Sequence, residues 1–256
     1  MADTTFARLR RFNLVMGLLH AIQGVLMLVL SSDFALPLTT AFVQFDPTAN
    51  RLVPILNTFA EIRVGPLVAG FLLLSAIAHL GVSLIPAGYR WYASMLQRGM
   101  NLARWIEYGF SSSLMLVVVA LLVGLYDIAT LIVLFALNAT MILFGWMMEV
   151  HNQTTKRTDW TSYWFGCFAG AIPWVAIAIY LIGAGSGAGE VPAFVYWIYV
   201  SIFLFFNSFA INMVLQYRKV GKWRDYLYGE RAYIILSLVA KSLLAWQVWA
   251  GTLRPV

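Results

Sequence analysis

The chain has 256 residues, of which 61% are hydrophobic and 11% charged, and its formal net charge is +6 at pH 7. This composition excludes an ordinary soluble domain and is typical of a polytopic membrane protein. The positive charge therefore indicates basic loops facing the cytosol, not a nucleic-acid partner. The single cysteine, Cys167, excludes an internal disulfide and a cysteine-based metal cluster. We expect one membrane domain over residues 1–256.

Seven apolar runs are long enough to cross a bilayer, because about 20 helical residues span its hydrocarbon core. The basic, apolar start of the chain mimics a signal peptide, but it lacks a clear cleavage site and is interpreted as the first span. The glycine-rich segment 183–189 is predicted to be a flexible outer connection. The predicted spans are residues 12–30, 62–85, 100–123, 128–148, 163–182, 193–217 and 231–253.

The connection between the first two spans, residues 31–61, is too long for a simple turn. Two β-prone runs, TTAFVQF and RLVPIL, flank the turn sequence DPTAN. This pattern favours a β-hairpin in the outer loop, with an irregular loop as the alternative. Such a hairpin would cover the outer mouth of the bundle or contact another protomer.

The distribution of Lys and Arg over the loops indicates how the chain is oriented in the membrane. When the N-terminus and the 2–3, 4–5 and 6–7 loops lie on one side, that side carries 13 of the 17 Lys and Arg residues and the other side carries three. The positive-inside rule then predicts a cytoplasmic N-terminus and an extracellular C-terminus. Only Lys241 belongs to neither side.

Lys241 lies near the middle of the seventh span, where an ammonium group is costly. An ionisable residue at this depth is a candidate functional residue. A lone buried lysine suits the covalent attachment of an aldehyde cofactor, although it could also serve a membrane enzyme that acts on a diffusing carbonyl substrate.

Glu107, in the third span, is interpreted as the only carboxylate well inside a span. The third and seventh spans both enter from the cytosolic side, and residue counting at the helical rise puts Glu107 and Lys241 within about 5 Å of each other in depth. We therefore predict an ion pair between them. The alternative is that Glu107 pairs with Arg104 at the membrane interface.

Polar residues surround this predicted pair. Ser237 lies one helical turn before Lys241, and Ser111 and Ser112 follow Glu107 by four and five residues. Two histidines at a similar depth favour a hydrated proton cavity on the cytosolic side, although a lone membrane histidine is more often structural. The residues assigned to this cavity are His20, Gln23, Ser75, His79 and Asn101.

The outer half of the bundle is different. Its apolar stretches contain no acid or histidine, which argues against a proton pump, because a pump needs exchangeable groups on both sides of its switching centre. Three aromatic residues lie within about one turn of the Lys241–Glu107 level and are expected to enclose a conjugated chain. They are Tyr108, Phe206 and Trp246.

Several stretches together resemble the heliorhodopsins over nearly the whole chain. Ion-pumping microbial rhodopsins differ, since they have an outside N-terminus and an Asp-rich third helix. The matching stretches are DFALP (33–37), RWIEY (104–108) with SSS (111–113), NATMILFGW (138–146), FGC (165–167), FLFFNSF (203–209), GERAY (229–233) and SLVAKS (237–242).

The resemblance implies all-trans retinal on Lys241 as a protonated Schiff base, with Glu107 as its counterion. It also implies a homodimer, an outer hairpin and no evident pumping. Other residues also match positions of the family. His20 and His79 match its inner-cavity histidines, and Ser237 matches a neighbour of the Schiff base. Met141 and Gly145 match positions that contact retinal.

The sequence therefore predicts a seven-helix light sensor, not an enzyme, with no catalytic residues and no metal site. Proton transfer would stay in the cytoplasmic-side cavity, and the protein would signal or regulate. The alternative is a light-gated or light-driven proton transporter or channel. Expected partners are the lipid bilayer, a second copy of the chain and a cytosolic protein at the basic 6–7 loop, where anionic lipid is the alternative.

Overall fold

The computed structural model describes residues 2–186 and 191–254, so residues 187–189 of the predicted flexible connection lie outside the described part. The described residues form one β-hairpin and eight α-helices, with a short 3-10 turn before the last helix and a π-helical turn after it. The elements are α1 (Ala2–Leu30), β1 (Ala35–Asp46), β2 (Arg51–Arg63), α2 (Val64–Leu84), α3 (Pro86–Gln97), α4 (Leu102–Leu122), α5 (Ile128–His151), α6 (Thr161–Gly185), α7 (Ala193–Tyr217) and α8 (Tyr226–Val248).

Within the described residues, seven helices are long and apolar enough to cross a membrane, namely every helix except α3. This confirms the predicted seven-span fold. Most spans differ from the prediction by a few residues at their ends, and two of these differences affect the site: α5 continues to His151 and α8 already begins at Tyr226. These extra turns bring Glu149 and Glu230 into helices.

The predicted hairpin is confirmed as well. Its strands pair antiparallel, with Asp46 opposite Arg51 beside the turn. The Asp46 carboxylate accepts a hydrogen bond from the backbone nitrogen of Thr48 at 2.8 Å, which stabilises the turn. The backbone nitrogen of Thr39 donates to the carbonyl oxygen of Tyr126 at 2.9 Å, so the hairpin is fixed to the connection between α4 and α5.

Helix α3 lies in the connection between the second and third predicted spans, where a loop is expected. It has 12 residues, too few to cross a bilayer, and it begins at Pro86, a residue suited to the first helical turn. Its buried side chains, Tyr92 and Leu96, pack in one cluster with residues of α1 and α8. A Cβ at Gly88 would lie 2.6 Å from the carbonyl oxygen of Gly81, so glycine allows α3 to fold back against α2.

The two ends of the bundle have different cores. Because α2 runs from the hairpin to α3, these elements mark opposite ends, here named the hairpin end and the α3 end. Large apolar side chains fill the hairpin end, and the fully buried members of this core include Phe71, Leu72, Leu116, Ile177, Ile198 and Leu244. The polar groups described next lie towards the α3 end.

The start of α4 orients these polar groups. The side chain of Asn101 accepts a hydrogen bond from the backbone nitrogen of Arg104 at 3.1 Å and so caps the helix. This cap fixes the first turn, from which Arg104 and then Glu107 project into the bundle. Asp127 and Asp225 cap α5 and α8 in the same way.

Candidate functional site

An ion pair joins α8 to α4 inside the bundle. Lys241 Nζ lies 3.0 Å from Glu107 Oε1, and the two residues are only 2% and 8% exposed. The predicted contact is therefore confirmed. The alternative, a pair between Glu107 and Arg104, is wrong, because Arg104 binds two other carboxylates.

Two hydroxyl groups complete the hydrogen bonding of this pair. Lys241 Nζ donates to Ser237 Oγ at 2.7 Å, as the one-turn spacing on α8 predicts. Ser75 Oγ, from α2, donates to Glu107 Oε1 at 2.6 Å. Ser111 is fully buried one turn after Glu107, on the same face of α4. Three helices thus meet at one buried charge pair.

A cavity of about 130 Å³ lies beside Lys241. Its wall consists mainly of aromatic, sulfur-containing and small residues from α4 to α8. It includes the sequence-predicted Tyr108, Ser112, Met141, Gly145, Phe206 and Ser237. Sequence reasoning missed other parts of the wall, among them Trp105, Tyr163, Cys167, Phe209, Met213 and Tyr233.

Close packing shapes this wall. A Cβ at Gly145 would lie 2.5 Å from the indole ring of Trp105, so glycine lets that ring lie against α5. Lys241 Nζ is 4.9 Å from the ring centroid of Tyr108, and the Tyr108 hydroxyl donates to the carbonyl oxygen of Tyr233 at 2.9 Å. The ring therefore stays beside the ammonium group, where its face favours a cation.

Trp246 is not one of the residues that line the cavity. Its indole nitrogen donates to Gln23 Oε1 at 3.1 Å, which joins α8 to α1. Residue counting placed Trp246 at the right depth, but five residues after Lys241 correspond to a rotation of about 140° around the helix. Trp246 therefore points towards α1, and its contact with a ligand stays a prediction. Gln23 binds Trp246 rather than the histidines.

The two predicted cavity histidines stack on each other, with ring centroids 5.7 Å apart and planes at 9°. His79 Nδ1 lies 2.7 Å from Asn13 Oδ1, and Asn13 Nδ2 donates to the carbonyl oxygen of Leu9 at 3.1 Å. Because a carbonyl only accepts, this bond fixes the Asn13 amide, so His79 Nδ1 must be the donor. In the neutral ring, Nε2 is then free to accept a proton. Both ring nitrogens of buried His20 lack a partner among the described residues.

A second ionic centre lies between Lys241 and α3. Arg104 Nη2 binds Glu149 Oε1, and Arg104 Nη1 binds Glu230 Oε2 at 2.6 Å. All three residues are at most 5% exposed. Glu107 is therefore not the only buried carboxylate among the spans, although Glu149 and Glu230 lie within a few residues of the ends of α5 and α8. The predicted spans stop next to Glu149 and Glu230 because a charged residue normally marks the end of a span.

A small cavity of about 30 Å³ lies between the two ionic centres. Glu107 and His79 line it together with Asn101, Arg104 and Glu230. This volume is sufficient for a water molecule, which also finds several polar partners there. Asn101 thus lies beside His79, as predicted, although its amide nitrogen binds Glu230 Oε1 at 2.5 Å.

The ion pair makes a testable contribution to stability. Lys241→Met leaves Glu107 buried without its cation, and we expect the free energy of unfolding of the retinal-free protein to fall by about 3 kcal/mol. The double variant Lys241→Met/Glu107→Gln should regain most of the lost free energy of unfolding, as measured by thermal unfolding. The exposed control Lys222→Met should unfold like the unaltered protein. A double variant less stable than both single variants would contradict the pairing.

Comparison of the chain with protein families identifies the heliorhodopsins over residues 9–253, nearly the whole chain. A comparison with curated proteins gives no match. The family match agrees with the seven spans, with the hairpin and with a buried lysine beside an apolar cavity. The chain therefore belongs to the heliorhodopsin family, whose members are light-sensing retinal proteins and not enzymes in the ordinary sense.

Proposed function

We propose that Lys241 holds all-trans retinal as a protonated Schiff base and that Glu107 is its counterion. The observation that carries this proposal is the 3.0 Å contact between Lys241 Nζ and Glu107 Oε1 at the wall of an apolar cavity. When bound, retinal supplies visible absorption and photoisomerisation.

The residues of the cavity fit such a group. Lys241 offers a primary amine that is 2% exposed, so bulk water has little access to the linkage. Tyr108 and Phe206 offer aromatic faces, Met141 a polarisable sulfur, and Gly145 a wall position without a side chain. An apolar conjugated chain gains dispersion contacts with this wall and loses no hydrogen bonds.

Glu107 holds a proton at Lys241 Nζ, because an opposite charge at this distance favours the protonated nitrogen. A light-driven displacement of Nζ from Glu107 weakens this attraction and releases the proton. His79 Nε2 is the suitable acceptor, because Nδ1 already donates to Asn13. The stacked ring of His20 extends this polar region across α1.

The proton stays on the α3 side of the bundle in this proposal. The Lys241–Glu107 pair, the histidines and the Arg104 cluster lie in that half, whereas the core of the hairpin end is apolar. The cation distribution supports a cytoplasmic α3 end. A released proton that returns to Nζ moves no net charge across the membrane, so the protein signals or regulates instead of pumping. A light-gated or light-driven proton transporter or channel is the alternative.

The exposed basic turn between α7 and α8 is the proposed output surface. Its cations are Arg218, Lys219, Lys222 and Arg224, and they suit a cytosolic protein or, as the simpler partner, anionic lipid. The hairpin is the proposed homodimer contact. Its exposed apolar side chains support this, and they include Phe42, Val43, Phe45, Leu52, Leu56 and Phe59.

Absorption spectra of the retinal-reconstituted protein test the linkage. We expect a visible band that disappears in Lys241→Ala, because no amine remains to hold the aldehyde. In Glu107→Gln the band should shift strongly, because the charge beside Nζ is lost, whereas Glu61→Gln in the exposed hairpin should leave it unchanged. A visible band that survives in Lys241→Ala would disprove the attachment.

Light-driven pH changes in unbuffered vesicles distinguish a sensor from a transporter. We expect no persistent pH change in vesicles with uniformly oriented protein, because the proton returns on the side from which it left. His79→Ala should slow or remove proton-linked spectral intermediates with little change in colour. A sustained pH change that a protonophore abolishes would support the transporter instead.

A further inference from the structure

The Arg104–Glu149–Glu230 cluster contains more negative than positive charge. One guanidinium group contacts two carboxylates, and all three side chains are almost completely buried. The nearest other ionic centre, Lys241 with Glu107, is balanced within itself. A net negative charge in a membrane-spanning bundle carries a large desolvation penalty, which protonation of one carboxylate removes.

Hydrogen bonds identify Glu149 as the ionised member. Glu149 Oε2 accepts from the backbone nitrogen of Asn101 at 2.9 Å and from Trp105 Nε1 at 2.6 Å. Glu149 Oε1 accepts from Arg104 Nη2 and from the Tyr226 hydroxyl. Donors occupy both oxygens, and an ionised carboxylate is the form that only accepts. Glu149 therefore balances the charge of Arg104.

Glu230 has three hydrogen-bond donors, one fewer than Glu149. Oε2 accepts from Arg104 Nη1 at 2.6 Å, and Oε1 accepts from Asn101 Nδ2 at 2.5 Å. Its third partner, the Tyr92 hydroxyl, lies 3.3 Å from Oε1. A phenol can both donate and accept, so Tyr92 can also accept a hydrogen bond from the acid form of Glu230.

We propose that Glu230 is a second buried proton-binding site, which holds one proton in the dark and is separate from the site at Lys241 Nζ. The proton gives Arg104 a single ionised partner, Glu149, and leaves the cluster neutral. The groups that face Glu230 are Arg104 and Asn101 of the α4 start, Tyr92 of α3 and Glu149 of α5, with His79 and Glu107 across the small cavity.

Tyr92 links this site to the histidines. Burial raises the pKa of Tyr92 well above its ordinary value, so Tyr92 keeps its hydroxyl proton. Its oxygen accepts a hydrogen bond from Asn13 Nδ2 at 3.3 Å, and Asn13 also binds His79. This coupling rests on the proposed function: a proton that reaches His79 places a positive charge across the cavity from Glu230 and favours loss of the proton there.

Solid-state NMR of the retinal-free protein tests the site without light or chromophore, so a failure of the retinal proposal leaves the result intact. The chain contains five glutamates, and ¹³C labelling of their carboxyl groups distinguishes acids from carboxylates. We expect one protonated glutamate signal near neutral pH in lipid bilayers. A spectrum with ionised glutamates only would overturn the proposal, and this wild-type result depends on no variant.

Two isosteric variants and one control assign the signal. Glu230→Gln should remove it, because the proton site itself is lost. Glu149→Gln should also remove it, because Arg104 then pairs with Glu230 alone and the charges balance. Glu61→Gln, in the exposed hairpin, should leave it unchanged. A protonated signal that persists in folded Glu230→Gln or Glu149→Gln protein would refute the proposed charge balance, and thermal unfolding verifies that each variant is folded.

Discussion

The buried pair of Lys241 and Glu107 constrains the rest of the bundle. Either charge alone would be costly at this depth, whereas together, and with hydroxyl donors and acceptors, they are tolerated. Because Ser75 and Ser237 complete the hydrogen bonds, α2, α4 and α8 are held in one arrangement around a single contact of 3.0 Å. A group attached to Lys241 Nζ would be positioned by this same network.

The position of this pair also defines an asymmetry along the bundle. Towards the hairpin, buried apolar side chains offer no groups for a proton to move between. Towards α3, two stacked histidines, a small polar cavity and the Arg104 cluster follow one another. In the proposed function, this asymmetry confines proton transfer to one end of the bundle. This agrees with a sensor whose proton remains on one side of the membrane.

The sequence predicted those features that depend on composition and on distance along a helix. Hydropathy gave the spans, turn residues gave the hairpin, and depth counting paired Lys241 with Glu107. The depth of a residue in the membrane does not determine the direction in which its side chain points around the helix axis. Trp246 lies at the depth of the cavity, but its indole nitrogen binds Gln23. A hydropathy pattern does not predict that Glu149 and Glu230 are buried, because a charged residue normally marks the end of a span, whereas here Arg104 compensates both charges inside the bundle.

The most direct test of this account measures the distance between two atoms in the retinal-reconstituted protein. Samples labelled with ¹⁵N at lysine side chains and ¹³C at glutamate carboxyl groups allow dipolar recoupling between Lys241 Nζ and Glu107. The account predicts a protonated, retinal-linked nitrogen coupled to this carboxylate, with Nζ and the nearest oxygen close to the 3.0 Å of the structure. A spectrum that contains only free lysine amines, or a linked nitrogen without coupling to Glu107, would contradict it.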